Sequence, residues 1–170
     1  DQKKRSFIQR FEHSFASYFF NATEAYKKGE RISPVWMAYY EKTSLKPLQY
    51  ELLGINAHIN GDLWQALVRE FSLQEIRENR KIFLQFQKGL VAIYRNFHEK
   101  AKQENLRIKM LNNLSLGIDH FYGKIMLKRW RKRQIQLAEW YFDKPEKLKA
   151  ALRRLDKKMK RINHLILRHL

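Results

Sequence analysis

His58 and Asp62 are four residues apart inside a long, mostly apolar stretch. On a helix that spacing puts both side chains on one face, a single turn apart. A His-x-x-x-Asp pair can give two ligands to one divalent metal such as zinc or iron. It can also serve as a proton acceptor and the group that orients it. Asn56 lies close by in sequence and joins them as a third candidate catalytic residue of a polar pocket. Two ligands do not make a metal site. Glu51 is seven residues upstream of His58, about 10 Å along a helix axis, so further ligands must come from other helices. Glu12, His13, Asp119 and His120 are the candidates. A hydrogen-bonded His58–Asp62 pair that satisfies a buried polar strip accounts for the same residues more simply.

Other catalytic patterns are absent from the sequence. There is no His-Glu-x-x-His element and no second His-x-x-x-Asp/Glu. Gly54 and Gly61 fall seven apart within a helical pattern, so they form no phosphate-cradling loop. No Ser or Cys nucleophile motif accompanies His58.

These residues must be positioned by a helix over about 47–71. Leu48, Leu52, Ile55, Ile59, Leu63 and Ala66 form one apolar stripe at helical spacing. Glu51, His58 and Asp62 edge that stripe. Asn56 and Asn60 lie on its other edge. Gly54, Ala57 and Gly61 form a flank with almost no side chain. A helix-interior glycine costs about 1 kcal/mol relative to alanine, so this flank predicts a neighbouring helix backbone passing close. The helix is expected to be central, with neighbours on several sides.

The flanking elements also read as helices. Ile8, Phe11, Phe15 and Ala22 repeat at helical spacing over about 4–28, and Gly29 fits a C-terminal cap. Ser33-Pro34 starts a short helix over about 34–42 carrying Trp36, with Ser33 as N-cap. Ser72-Leu73-Gln74-Glu75 is a capping box. It opens a helix expected to run to about Gln103, with Ile76, Phe83, Phe86 and Leu90 on its core stripe. Asn112-Asn113 and Gly117 mark a break. A stripe from Ile118 then reaches Trp130, Ala138 and Tyr141. Asp143-Lys144-Pro145-Glu146 predicts another helix start with Asp143 as cap. The final helix sets Leu148, Leu152, Leu155, Met159, Ile162 and Ile166 on a narrow apolar seam with a wide basic back.

The 170 residues suffice for one domain with a core, and 44% hydrophobic content argues against disorder. Only three prolines and six glycines interrupt the chain, which favours short connections. Without cysteine there are no disulfides or thiolate metal sites. No signal peptide is visible and no apolar run is long enough to span a bilayer. Because the chain begins at Asp1, a cytoplasmic protein and an exported one with its signal removed fit equally. The formal charge is +18, and residues 124–170 hold 16 Lys and Arg against 4 Asp and Glu, so +12 of it lies there. That asymmetry would attract nucleic acid, anionic lipid or an anionic protein. Within it, Lys128-Arg129-Trp130-Arg131-Lys132-Arg133 interleaves basic residues with an aromatic, a pattern able to bind phosphates and stack bases.

The run Leu52-Leu53-Gly54-Ile55-Asn56-Ala57-His58-Ile59-Asn60-Gly61-Asp62-Leu63 resembles the signature of an uncharacterised bacterial family, domain of unknown function 5995. Its members look like L-G-x-N-A-H-I-N-x-D-L preceded by a Trp-containing helix, here near Trp36. The resemblance implies an all-α domain in which Asn56, His58 and Asp62 are the matched polar residues, and it implies no activity. A weaker similarity is to the zinc-dependent phospholipase C and P1 nuclease group, also all-helical, matched only at His58 and Asp62. The expectation is therefore an all-α protein, residues 1–170 forming a single bundle of about six helices around a buried helix at about 47–71. The leading reading is an uncharacterised protein with a polar or metal-centred pocket lined by Asn56, His58 and Asp62, and the first function class for it is a metal-dependent or His/Asp-assisted hydrolase. The alternative is a non-enzymatic module that binds an anionic partner through residues 124–170.

Overall fold

A computed structural model of the chain describes residues 2–42, 44–85 and 118–169, with side chains except those of 118–128 and 169. Helix α1 spans Gln2–Lys27 and α2 spans Pro34–Tyr40. The central helix is α3 (Pro47–Asn56), a π-helical turn (Ala57–Asp62) and α4 (Leu63–Glu70), end to end. Then come α5 (Leu73–Glu78), α6 (Arg80–Gln85), α7 (Ile118–Asp143) and α8 (Pro145–His169). The fold is all-α, with no strand among the described residues.

Local chemistry sets several boundaries. Gly29 takes a φ of 70°, the left-handed conformation that glycine adopts without a Cβ penalty. Its amide donates to the Tyr26 carbonyl at 3.0 Å and the Glu30 amide to the Ala25 carbonyl at 2.8 Å, which satisfies the last carbonyls of α1. Pro34 starts α2, but the Ser33 hydroxyl makes no capping bond. The capping box at α5 forms. The Glu75 amide donates to Ser72 Oγ at 3.3 Å, and the Ser72 amide donates to Glu75 Oε2 at 2.9 Å.

The central helix is surrounded: no residue from Leu48 to Val68 is exposed. On one side its C-terminal half joins α1, α5, α6 and α7 in a cluster of Phe7, Phe11, Leu63, Ala66, Leu67, Ile76, Phe83 and Ile135. On the other, Ala57 joins α2, α7 and α8 in a cluster with Val35, Trp36, Leu137, Leu155 and Met159.

Several expectations need correction. The buried positions of the central helix are Leu48, Gln49, Leu53, Asn56, Ala57, Asn60, Gly61, Asp62, Leu63, Ala66 and Leu67, so Leu48, Leu63 and Ala66 lie inside as the stripe predicts, whereas Leu52, Ile55 and Ile59 are half-buried. The glycine flank meets side chains, not a helix backbone. A Cβ at Gly54 would lie 3.3 Å from Tyr39 Cε2, and one at Gly61 3.3 Å from Val35 Cγ1. The helix opened by Ser72 is interrupted at Asn79, whose side-chain Nδ2 donates to the Glu75 carbonyl at 2.9 Å. Asparagine side chains compete for helix carbonyls in this way. Asp143 does not cap the last helix; it ends α7 and accepts a bond from Arg77 at 2.7 Å. In α8, Ala151 and Asn163 are buried on the seam, while Leu152 and Ile162 are half-buried. Tyr141 is exposed rather than core. Phe86, Leu90, Gln103, Asn112-Asn113 and Gly117 lie outside the described residues.

Arg131 departs furthest from its sequence setting. It sits within a basic run, yet it is fully buried, with its guanidinium 4.4 Å from the Phe83 ring centroid. Burial pulls its pKa down to about 10.

Candidate functional site

His58 and Asp62 both belong to the π-helical turn. Such turns widen the helix locally and occur often at functional sites. His58 Nδ1 lies 3.0 Å from Asp62 Oδ2. Asp62 also accepts from the indole of Trp36, whose Nε1 lies 3.1 Å from Oδ2 and 3.3 Å from Oδ1. An ionised carboxylate only accepts, so the bond to His58 requires a proton on Nδ1. A neutral imidazole then carries its lone pair on Nε2, which makes no hydrogen bond among the described residues.

The two side chains differ sharply in exposure, 25% for His58 and 4% for Asp62. The imidazole stacks on Phe15 of α1, with ring centroids 3.6 Å apart and planes 15° apart, and lies 6.1 Å from the Trp36 ring. Phe15 packs on the α1–α7 cluster and Trp36 belongs to the α2–α8 cluster, so the pair sits where the two cores meet. Burial pushes the Asp62 carboxyl above its ordinary range, and the bonds from His58 and Trp36 oppose that rise. Two phenols feel the Asp62 charge. Burial raises Tyr18, with Arg69 opposing, and burial raises Tyr40, with its 2.6 Å bond to Thr23 Oγ1 opposing.

Asn56 is not part of this arrangement. Two residues from His58 on a helix is about 200° of rotation, and Asn56 faces α8. Its Nδ2 donates to Asn163 Oδ1 at 2.7 Å and to the Met159 carbonyl at 3.2 Å, and its Oδ1 accepts from Asn60 Nδ2 at 2.8 Å. Gln49 Nε2 adds a bond to the Ile166 carbonyl at 3.1 Å. The central helix thus carries a His–Asp pair toward α1 and α2, and an amide ladder toward α8.

Of the further residues proposed for a metal, Glu12 and His13 are exposed on α1 and hydrogen-bond to neither His58 nor Asp62. The side chains of Asp119 and His120 lie outside those described. Among the described residues no group of three or more His, Asp or Glu is placed to hold a metal ion. What the described arrangement offers a cation is one imidazole nitrogen, Nε2 of His58. Trp36 and Phe15 complete the site, and neither was singled out for it from the sequence. The only signal was the Trp-containing helix that precedes the motif.

The model of a family described as "Family of unknown function (DUF5995)" matches residues 3–169. No curated protein matches the chain, and no solved structure does. The weaker likeness to the phospholipase C and P1 nuclease group therefore gains no support beyond His58 and Asp62.

Proposed function

We propose that this chain, which belongs to the family of unknown function DUF5995, is a hydrolase in which His58 Nε2 accepts a proton from water. The observation that carries this reading is the bonding of Asp62. Its carboxylate holds Nδ1 of His58 and the Trp36 indole, and on the partly exposed ring Nε2 has no hydrogen-bond partner among the described residues. Asp62 is then the orienter and Trp36 its anchor, while Phe15 fixes the ring plane. An imidazole fixed in one tautomer by a buried carboxylate is the arrangement general base catalysis uses. If a divalent cation such as zinc or iron takes part, Nε2 is the atom that would ligate it. We take residues 1–170 as one domain, since α1 and α8, from the two ends of the chain, both pack on the central helix.

The test is turnover of p-nitrophenyl acetate and bis-p-nitrophenyl phosphate, with and without added zinc or iron. Rates should rise as one group loses its proton and vanish in His58→Gln, while His13→Gln leaves them unchanged. Turnover that survives His58→Gln refutes the assignment. So does a His58 that diethylpyrocarbonate, which attacks bare imidazole nitrogens, fails to modify.

A second reading is a module that binds an anionic partner through the basic C-terminal third. It is favoured by the surface of α8. Lys147, Lys149, Arg153, Arg154, Lys157, Lys160 and Arg161 are all exposed, and none forms an ion pair among the described residues. The described helices include none long and apolar enough to cross a membrane.

A further inference from the structure

Where α7 packs on α8, two cations each lie against a tryptophan ring. Lys158 Nζ lies 5.1 Å from the Trp130 ring centroid, and the Arg133 guanidinium lies 5.1 Å from the Trp140 ring centroid. The polar contact of Arg133 is a 2.8 Å donation to Gln136 Oε1, a neutral acceptor. Among the described residues no carboxylate bonds either cation. Partial burial, and then the charge of Arg133, pull the Lys158 ammonium below its ordinary range. Like charges brought together without a counter-ion destabilise each other, and a bound anion would relieve that. Arg154 and Arg161, exposed at four residues before and three after Lys158, lie on the same side of α8. Lys147, two turns further back, extends the row to about 21 Å.

We propose that this seam, with Arg133, Arg154, Lys158 and Arg161 on phosphates and Trp130 and Trp140 beside them, binds single-stranded nucleic acid. The inference rests on the anionic-partner reading above and narrows it. Two features favour nucleic acid over a membrane surface. An interfacial helix must offer an apolar face, whereas Leu148, Ala151, Leu155, Met159 and Ile166 of α8 are buried in the bundle. Aromatic rings between cations are also what strand-binding surfaces use to stack bases.

The experiment is fluorescence polarisation of a labelled 20-nucleotide oligothymidylate with the full chain across a salt series. Parallel arms use phosphatidylserine-containing vesicles and heparin. Four neutralised phosphates on a single strand predict a log–log salt slope of about −3, or a roughly 50-fold loss of affinity between 50 and 200 mM. The double variant Arg133→Gln, Lys158→Gln should reduce that slope by about half with an unchanged circular dichroism spectrum. Lys3→Gln, Lys4→Gln on α1 removes equal charge and should leave the slope intact. Equal effects of the two double variants would overturn the proposal, because binding would then follow net charge alone. Binding of vesicles or heparin without the oligonucleotide would overturn it too, yet leave the anionic-partner reading standing. No salt-dependent binding in any arm would overturn both.

Discussion

Trp36→Phe isolates the bond that anchors the candidate site. The substitution keeps an aromatic ring among Phe19, Tyr39 and Tyr40 but removes the Nε1 donor to Asp62. A hydrogen bond to a charged group contributes about 1.5–3 kcal/mol, and the smaller ring adds a packing loss of about 1 kcal/mol. The total at neutral pH is then about 3 kcal/mol, a fall in Tm of about 6–12 °C for a chain of this size. Acid separates the two contributions. Burial already raises the folded-state pKa of Asp62 above its usual 3.8, and loss of the indole donor raises it further. Below both folded values Asp62 is neutral in wild type and variant alike, so only the packing loss remains. As pH climbs from the wild-type folded value to the variant's, the gap in stability opens, and above both it is constant. Urea unfolding followed at 222 nm, with unchanged m, should therefore show a larger deficit at pH 7 than in acid. In the Asp62→Asn background the deficit should shrink to the packing part at every pH. A deficit that is the same at both pH values, or unchanged in that background, would refute the Trp36–Asp62 bond as the anchor.

Asp62→Asn alone should compare best with wild type at neutral pH. A raised carboxyl pKa confers stability that is complete below the unfolded value and lost as pH rises through the folded one, so the wild-type advantage should decline along that window. A stability difference that grows with pH there would mean the carboxylate is held more by its donors than burial penalises it. On the other side of the helix, Asn56→Leu strands Asn60 Nδ2 and Asn163 Oδ1. It should cost about 3 kcal/mol, independent of pH, since each unsatisfied buried polar group costs about 1–3 kcal/mol; a cost under about 1 kcal/mol would show that the ladder re-forms with water. Gly61→Ala places a methyl 3.3 Å from Val35 Cγ1. It should lower Tm alone but be neutral or better with Val35→Ala, because the clash is relieved while alanine's helix preference of about 1 kcal/mol remains.

Fold class was legible because it rests on periodicity and caps. The stripe of α1, the Gly29 terminus and the Ser72–Glu75 box are local signals, and local chemistry enforces each of them. What failed depended on neighbours or on exact phase. A 100° wheel drawn through residues 57–62 ignores the π-helical turn, so it placed Ile59 on the inner face where Asn60 and Gly61 lie. Arg131 reads as surface in a basic run and is core, because the field of a charge cluster does not fix which member turns inward. Asp143 had the spacing of a cap, but Arg77, 66 positions away in sequence, takes its carboxylate.

The candidate site was legible to the extent that it is helical. The i,i+4 spacing brought His58 to Asp62, but nothing in the spacing could show that an indole 26 residues upstream would hold the same carboxylate. Rotation also explains why Asn56 stands apart from them: it is half a turn from His58 and fastens α8. The two polar groups differ in a way that bears on function. The amide ladder is neutral and matches donors to acceptors, so it needs no role beyond joining helices. Asp62 is an acid kept at 4% exposure with an imidazole and an indole as its hydrogen-bond donors, and burial outweighs both in setting its pKa. A leucine in its place would fill the same seam without that penalty, and replacing buried ionic groups with packed apolar ones often stabilises a protein. Stability alone does not explain a carboxylate here. What the carboxylate accomplishes is to hold Nδ1 of a partly exposed imidazole at 3.0 Å, and local rules broken in this manner are characteristic of functional sites.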